Sequence, residues 1–156
     1  MRSAWEAAAR VVDPEIRALT IEELGILREV SEDGGRVTVT ITPTYSGCPA
    51  MDAIRADIER ALHAAGYPQV RVTTRYGAPW STDWITPAGR AKLAAAGMAP
   101  PGPAGARGPV PVALTVRCPR CGSAETEQLS RFGSTACKAL WRCRSCVEPF
   151  EHVKAL

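Results

Sequence analysis

The sequence predicts an α+β fold, in which a small mixed sheet has helices packed on one face and is followed by a linker and a small C-terminal module. Three observations predict it. Apolar residues alternate with threonine over residues 37–42, which is the period of a half-buried strand. Residues 49–65 instead repeat apolar residues at helical spacing. The last 39 residues hold two Cys-x-x-Cys pairs, which indicate a separate module.

The N-terminal region is expected to begin with a helix and a β-hairpin. A Ser-x-x-Glu pattern at residues 3–6 is typical of a capping box, and the helix that follows should end near Val12, because Pro14 disfavours helical backbone in the residue before it. Residues 24–30 are predicted as the first strand. Residues 31–35 tolerate positive φ, so a turn there would join this strand to the alternating segment.

A second helix, a third strand and a third helix are expected to follow. The apolar stripe of the second helix consists of Met51, Ile54, Ile58, Ala61 and Leu62. Gly66 is placed to end that helix, and Val70 and Val72 alternate as in a strand. Thr86 followed by Pro87 is typical of a helix start. The predicted order is therefore α-β-β-α-β-α.

A compositional boundary divides the chain. Residues 97–111 contain four glycines and five prolines, with Arg107 as their one charge, which is typical of a semi-rigid linker. The sequence therefore predicts an N-terminal domain at residues 1–96, a linker at 97–111 and a C-terminal module at 112–156. A module of about 45 residues buries too little apolar surface to fold without a further stabilising element.

The formal charge of +3 is unevenly distributed. Residues 1–96 carry 11 basic and 12 acidic residues, whereas residues 97–156 carry eight and four, so nucleic acid has to be considered as a partner. Residues 1–6 contain no apolar signal region, and no stretch approaches the roughly 18 apolar residues of a membrane helix. We therefore expect a cytoplasmic protein without a membrane partner, in which paired cysteines bind metal or act in redox chemistry before they form disulfides.

Four cysteines carry the strongest chemical signal. Cys118 and Cys121 form one Cys-x-x-Cys pair, and Cys143 and Cys146 form another after 21 intervening residues. Two such turns can place four sulfurs about 2.3 Å from one Zn²⁺, so the pattern predicts a four-cysteine zinc ribbon whose folding depends on the metal. An iron-sulfur cluster on the same thiolates, or ordinary buried or redox cysteines, are the alternatives.

The roles of the other two cysteines, Cys48 and Cys137, are not fixed by a ligand spacing. Cys137 is one cysteine too many for a tetrahedral site. It is either a small apolar or surface thiol, or a reactive thiol or transient metal ligand favoured by Lys138 and other basic neighbours. Cys48 precedes Pro49, and as the N-cap of the second helix its thiolate would be stabilised by free amides and the helix dipole. A buried structural cysteine is the alternative there.

Asp13 and Glu15 flank Pro14 at the end of the first helix, where a cap and turn is the simplest interpretation. The sequence shows no Ser/His/Asp arrangement, no phosphate-binding glycine loop and no paired-carboxylate motif. These absences argue against a conventional hydrolase, kinase or dehydrogenase.

Several of these motifs together resemble one family. Asp-Pro-Glu-Ile at residues 13–16, Leu-Gly-Ile at 24–26 and the segment 42–51 are similar to the small domain of iron-sulfur assembly proteins of the SufT type. Phe-Gly-Ser-Thr-Ala-Cys-Lys at residues 132–138 and the segment 143–150 are similar to the PaaD branch of that family, which accompanies phenylacetyl-CoA epoxidase. The resemblance covers the chain except for the linker.

The resemblance implies an accessory protein in aerobic phenylacetate breakdown, which serves the multicomponent epoxidase without being its di-iron catalytic subunit and is not itself an enzyme. Its implied task is maturation of a metal centre, above all the iron-sulfur cluster of the reductase component. Cys48 matches the family's reactive cysteine, and Asp13 and Glu15 match its acidic motif. The implied cofactors are structural zinc and a transient iron ion or iron-sulfur cluster, held with the help of a client or in a homodimer of two Cys48 thiolates.

Two other functions remain open at this point. The basic C-terminal half favours a nucleic-acid-binding zinc ribbon, although it lacks the alternation of basic and stacking residues that single strands require. A thiol enzyme that uses Cys48 is the other, although no histidine lies in a recognisable pairing motif.

Overall fold

The computed structural model describes residues 3–104 and 115–155. The chain divides into two compact units, one made of Met1–Trp80 with Trp84–Gly89 and the other of Ser81–Asp83 with Arg90–Leu156. Among the described residues, no helix combines the length and the apolar character needed to cross a membrane.

The first unit contains a three-stranded sheet with helices against it. Its elements are α1 (Ala4–Ala9), β1 (Leu27–Asp33), β2 (Arg36–Ile41), α2 (Ala50–Ala64) and β3 (Gln69–Thr74). The strand order is β1-β2-β3, with β1 antiparallel and β3 parallel to the central β2. Helix α2 packs on β3, and α1 packs on α2 and β1. The predicted mixed α+β fold is confirmed.

The predicted periodicities determine which side chains enter this core. In β2, Val37, Val39 and Ile41 are buried while the threonines between them are half-buried, as a period of two requires. In α2, Ile54 and Ile58 are among the side chains of the stripe that are fully buried. The Ser3 capping box is formed, but α1 ends at Ala9, earlier than predicted.

The first strand begins later than its apolar residues suggest. Leu24 and Ile26 are buried in a turn before β1, where Gly25 adopts a φ of +73°. The Nε1 of Trp80 donates to the Leu24 carbonyl at 2.8 Å, and a Cβ on Gly25 would lie 2.6 Å from Trp84 Cβ. The segment therefore lies against these tryptophans at Leu24 and Gly25, and its Ile26 carbonyl accepts the Thr42 N–H at 2.9 Å, just beyond the end of β2.

The second unit contains a four-stranded sheet. Its strands are β4 (Met98–Ala99), β5 (Thr126–Ser130), β6 (Lys138–Cys143) and β7 (Pro149–Val153), in the order β4-β7-β6-β5. All neighbouring strands are antiparallel except β4 and β7, which are parallel. The helix α3 (Pro87–Ala95) crosses the division between the two units.

The composition predicts a domain boundary at residue 96. In the structure, the two units divide earlier, between residues 80 and 90. Met98 and Ala99, which fall in the predicted linker, pair with Glu151 and His152 of β7. The guanidinium of Arg90 donates to the carbonyls of Pro101 and Thr82, which ties these segments into the second unit. Backbone pairing with a distant strand explains this order in a Gly/Pro-rich stretch. The rest of the predicted linker, from residue 105 to 111, lies outside the described residues.

We expect Gly25→Ala to lower the free energy of unfolding of the first unit by about 2–4 kcal/mol, because it combines left-handed strain with overpacking against Trp84. Gly34→Ala is the matched control, since Gly34 also has positive φ but nothing lies within 4 Å of its Cβ position. Urea unfolding followed by tryptophan fluorescence measures both. Equal losses in the two variants would contradict the packing role of Gly25.

Candidate functional site

The two Cys-x-x-Cys pairs converge at one end of the second sheet. Cys118 and Cys121 lie in a turn before β5, Cys143 is the last residue of β6, and Cys146 lies in the turn before β7. Their four Sγ atoms all lie within 4.8 Å of one another. Backbone hydrogen bonds form each turn, including those from Gly122 N–H to the Cys118 carbonyl and from Cys143 N–H to the Glu148 carbonyl, at 2.9 and 3.0 Å.

The geometry of this cluster fits a tetrahedral metal ion. Cys118 Sγ lies 3.7 Å from Cys146 Sγ, and Cys121 Sγ lies 3.6 Å from Cys143 Sγ. Four sulfurs bound to one Zn²⁺ lie about 3.8 Å apart, whereas a disulfide requires about 2.05 Å. All four cysteines are free thiols, and as a set of four sulfurs they form a closed metal-binding site that leaves no coordination position for a substrate.

The thiols of the second pair differ in acidity. The backbone N–H of Cys146 donates to Cys143 Sγ and, together with the Ser145 N–H, lowers the pKa of Cys143 to about 6. For Cys146, the backbone N–H of Glu148 acts to lower the pKa, but desolvation and the neighbouring thiols outweigh it and raise the pKa to about 12. Without a metal, such neighbouring thiols share protons, because several thiolates so close together would repel one another. A bound cation takes the place of these protons and stabilises all four thiolates.

The residue after the second cysteine of each turn has a positive φ, but it is a glycine in one turn and a valine in the other. Gly122 follows Cys121 with a φ of 75°, and Val147 follows Cys146 with a φ of 64°. Left-handed backbone is strained for a β-branched residue, and no packing explains Val147, which is 67% exposed. The turn that places Cys146 in the cluster, closed by the bond from Cys143 N–H to the Glu148 carbonyl, therefore contains this strained residue.

A carboxylate of β5 fixes the second turn from outside. Glu127 accepts hydrogen bonds from the guanidinium groups of Arg144 and Arg142, and these hold its pKa below the usual value. The N–H of Arg144 also donates to the Glu125 carbonyl at 2.7 Å. Two of the arginines that make this module basic are thus paired within it.

Cys137 lies apart from the cluster. It precedes β6, whose other end is Cys143, so about 20 Å of strand separates the two. Its half-buried thiol lies 3.0 Å from the Thr135 hydroxyl. The structure therefore brings together four of the six cysteines and leaves Cys137 at the opposite end of the strand.

Cys48 lies in the loop that leads from β2 to α2, but it is not the helix cap. The N-cap of α2 is Pro49, whose backbone is already helical, with φ −67° and ψ −19°, so Cys48 stands one residue further out. Because proline has no N–H and α2 begins after it, the free amides lie beyond this position. The half-buried Cys48 thiol instead accepts a hydrogen bond from the Thr44 hydroxyl, 4.0 Å away.

The acidic pair has two separate placements. Asp13 is buried, and its Oδ1 accepts the N–H groups of Glu15 and Ile16 at 2.8 and 2.6 Å, which forms the turn that the sequence suggests. The Glu15 carboxylate accepts a hydrogen bond from the Tyr45 hydroxyl at 3.4 Å. Tyr45 belongs to residues 42–49 between β2 and α2, which carry Cys48 and which we call the thiol loop. This contact joins the thiol loop to residues 13–16, which we call the acidic turn.

A cavity of about 210 Å³ lies beside the thiol loop. Residues 42–46 form one wall, and residues 75–80, which follow β3, form the other. The sequence signals identify neither Tyr45 nor Arg75 as a site residue, because neither stands out by a ligand spacing or a periodic pattern. Only the pairing of β2 with β3 brings them to one place. Tyr76, in the second wall, is 76% exposed.

Comparison with known proteins assigns both parts of the chain. Residues 3–74 match the family model of iron-sulfur cluster assembly proteins, and residues 104–154 match that of the PaaD zinc β-ribbon domain. The fold and the cysteine cluster therefore define an assembly-type domain joined to a metal-binding ribbon. The chain is also 43% identical over 152 residues, 97% of its length and 91% of the relative, to a protein of Escherichia coli (strain K12) named as a component of 1,2-phenylacetyl-CoA epoxidase. This chain therefore belongs to the PaaD family.

Solved structures resemble part of the chain. A domain of unknown function, DUF59, from Bacillus anthracis covers 58% of this chain and 87% of its own, with 25% identity and a TM-score of 0.53. A conserved hypothetical protein from Thermotoga maritima covers 58% and 89%, with 28% identity and a TM-score of 0.49. The first of these supports the α+β fold.

We expect Cys121→Ser to abolish stoichiometric metal binding and to unfold the second unit, because three thiolates and a hydroxyl hold the ion far more weakly than four thiolates. Metal analysis by mass spectrometry and far-ultraviolet circular dichroism measure the two effects. Cys137→Ser is the control and should keep about one metal ion per chain. Full metal content in Cys121→Ser would contradict the four-sulfur site.

We expect Val147→Gly to stabilise the metal-loaded second unit by about 1 kcal/mol, because glycine adopts positive φ without strain and little packing is lost. Val147→Ala, which keeps a Cβ, should gain less. The free energies of unfolding in guanidinium chloride decide. A greater gain from alanine than from glycine would show that the strain does not arise from positive φ.

Proposed function

We propose that this chain is a non-catalytic accessory protein of a phenylacetyl-CoA epoxidase and that it assists assembly of the iron-sulfur cluster or metal centre of one epoxidase component. The observation that carries the proposal is the thiol loop, in which one half-buried cysteine is joined through Tyr45 to an acidic turn. The match of residues 3–74 to iron-sulfur cluster assembly proteins and the name of the relative support it.

The chemistry of a single thiol suits transient binding of a cargo. One sulfur supplies one of the four ligands that iron takes in a cluster, so Cys48 needs donors from elsewhere, either a client or a second copy of the chain. A site completed by the client releases its cargo once the client supplies the remaining thiolates. Transfer then exchanges the iron bond to Cys48 for one to a client thiolate, and the Cys48 sulfur takes up a proton. No oxidant or reductant is consumed.

Within the proposal the acidic residues have different roles. Glu15 is the carboxylate that faces the thiol loop, so it is the candidate oxygen donor or proton acceptor there. Asp13 is a positioning residue, because its Oδ1 accepts the backbone amides that shape the turn before Glu15. Gly47, with a φ of 74°, gives the loop the backbone that presents Cys48.

A thiol enzyme is less well supported. The histidine of the first unit, His63, lies near the far end of the 15-residue α2, about 22 Å along the helix from Cys48, and its Nδ1 lies 3.0 Å from the Tyr67 carbonyl. A base to activate the thiol is therefore not supplied from that side chain. The hypothesis of a nucleic-acid-binding ribbon also loses support, because the positive charges of Arg142 and Arg144 are paired with the Glu127 carboxylate.

In the second unit we propose zinc as the resident metal of Cys118, Cys121, Cys143 and Cys146. The sulfur spacing and the closed set of four thiolates support a structural ion, and the match to a zinc β-ribbon model supports its identity. When bound, the ion supplies folding free energy and no reactive position. The iron-sulfur reductase is the proposed client, because it is the component whose cluster has to be assembled.

We expect Cys48→Ser to lower the iron-sulfur cluster occupancy of the reductase component to the level found without this chain, because a hydroxyl is a poor ligand for iron. Co-expression with the epoxidase components, followed by iron and sulfide analysis and a visible spectrum of the purified reductase, measures it. Cys137→Ser is the matched control and should retain full occupancy. Unchanged occupancy with Cys48→Ser would refute the proposed role of this thiol.

A further inference from the structure

The loop between β5 and β6 presents apolar side chains to solvent. Phe132, in the seven residues 131–137 that we call the 131–137 loop, is 66% exposed. Leu129 lies just before this loop, at the register shift between Gln128 and Ser130, and is 49% exposed. A β-bulge re-aims the side chain that it carries. The register shift and the loop after it thus leave two large apolar residues, Leu129 and Phe132, exposed at the same end of the hairpin.

A polar network anchored on β7 holds the 131–137 loop in place. Ser134 donates both its N–H and its hydroxyl to Glu151 Oε2, at 2.7 and 2.9 Å. The ammonium of Lys138, which is only 5% exposed, lies 3.1 Å from the Ser134 hydroxyl and 3.8 Å from Glu151 Oε1. Burying a cation costs little free energy only when the cation is paired. Since one partner of Lys138 is Ser134, a change in the loop conformation would leave the buried ammonium with fewer partners.

The backbone of the loop is equally constrained. Gly133 donates its N–H to the Lys138 carbonyl at 2.8 Å, and a Cβ at this position would overlap the Glu151 carboxylate. The N–H of Lys154 donates to the Cys137 carbonyl at 2.9 Å. Phe132 is therefore carried by a loop that is fixed on both sides.

Such a loop is more elaborate than a hairpin requires. Two residues suffice to connect antiparallel strands, and a single exposed apolar residue needs no explanation. Here a buried Lys138 paired with the half-buried Glu151, and a glycine whose Cβ would displace the Glu151 carboxylate, hold the backbone beside an exposed aromatic ring. A ring held in this way loses little conformational entropy on docking, which is the property of an interface anchor.

The charges around the ring indicate what it would bind. The Lys154 ammonium lies 4.8 Å from the centre of the Phe132 ring and donates to the Arg131 carbonyl at 2.9 Å. Arg131 is exposed, and the 131–137 loop contains no acidic residue. Complementarity therefore requires an apolar pocket with carboxylates at its rim, because a basic rim would be repelled.

We infer that the 131–137 loop is the element by which this chain docks onto a protein component of the epoxidase, with Phe132 inserted into an apolar pocket that carboxylates surround. The inference rests on the proposed function, because that function supplies the epoxidase components as clients. It goes beyond that function by assigning the docking to one loop of the ribbon, at the end of β6 opposite the metal-binding cysteines.

The test is a binding measurement with the full-length, metal-loaded chain and each purified epoxidase component. Biolayer interferometry gives Kd for the unsubstituted chain, for Phe132→Ala and for Val147→Ala, a matched control because Val147 is also an exposed apolar residue of the second unit. We expect Phe132→Ala to raise Kd about 30-fold, as loss of an anchor residue does. Val147→Ala should change Kd less than about twofold.

Charge reversal tests the carboxylate rim. Arg131→Glu should raise Kd about tenfold at low salt, mainly through a slower association rate, and the difference should shrink as ionic strength rises. Circular dichroism and metal content of every variant show that the ribbon is intact. An association rate unchanged by Arg131→Glu would overturn the acidic rim.

The outcomes separate this inference from the proposed function. If a component binds the unsubstituted chain and Phe132→Ala binds within threefold of it, the docking role of the loop is wrong, while the occupancy assay with Cys48→Ser still decides the proposed function. If no component binds although reductase cluster occupancy depends on Cys48, the docking inference fails and the proposed function stands. If occupancy is also independent of Cys48, both fail.

Discussion

The convergence of four cysteine sulfurs is the interaction on which the C-terminal half of the chain depends. One cluster joins the turn before β5, the end of β6 and the turn before β7. Among the described residues, the apolar core of this unit is small, and two of its members are ligand cysteines: Ala99, Val116, Cys118, Ala139, Trp141, Cys143 and Phe150. Ordering a residue costs about 1–2 kcal/mol of conformational entropy, so a core with few buried side chains is stabilised by any cross-link between its strands, and four converging sulfurs offer one to a metal ion.

Polar interactions close both ends of this second sheet. At the cysteine end, the Glu127 carboxylate accepts hydrogen bonds from Arg142 and Arg144, and Val147 has the positive φ that is strained for a β-branched residue. At the other end, Lys138 and Glu151 are paired beneath the 131–137 loop. A small core leaves the ends of its strands poorly covered, and in this unit the four-cysteine cluster and a half-buried ion pair lie at those two ends.

In the first unit, the surroundings of the candidate thiol Cys48 are set by a different constraint, the parallel pairing of β2 with β3. Parallel strands end at the same edge of a sheet, so the loop after β2 and the segment after β3 form the two walls of one cavity. The N–H of Arg75 donates to the Ile41 carbonyl at 2.8 Å and fixes this edge. Cys48 follows in the same loop, and the Tyr45 contact with Glu15 joins it to the acidic turn.

The sequence by itself determined the α+β class, the position of β2 and α2, and the four cysteines that converge, because periodicity and ligand spacing are properties of residues close together in the chain. Only the tertiary structure decided that Leu24 and Gly25 contact tryptophans before β1 begins, that Met98–Ala99 pair with β7, and that Cys48 stands outside the cap of α2. It also decided the separation of Cys137 from the cluster and the ion pair beneath Phe132. These features depend on contacts between residues distant in sequence, and no local pattern encodes which distant partner a residue will meet.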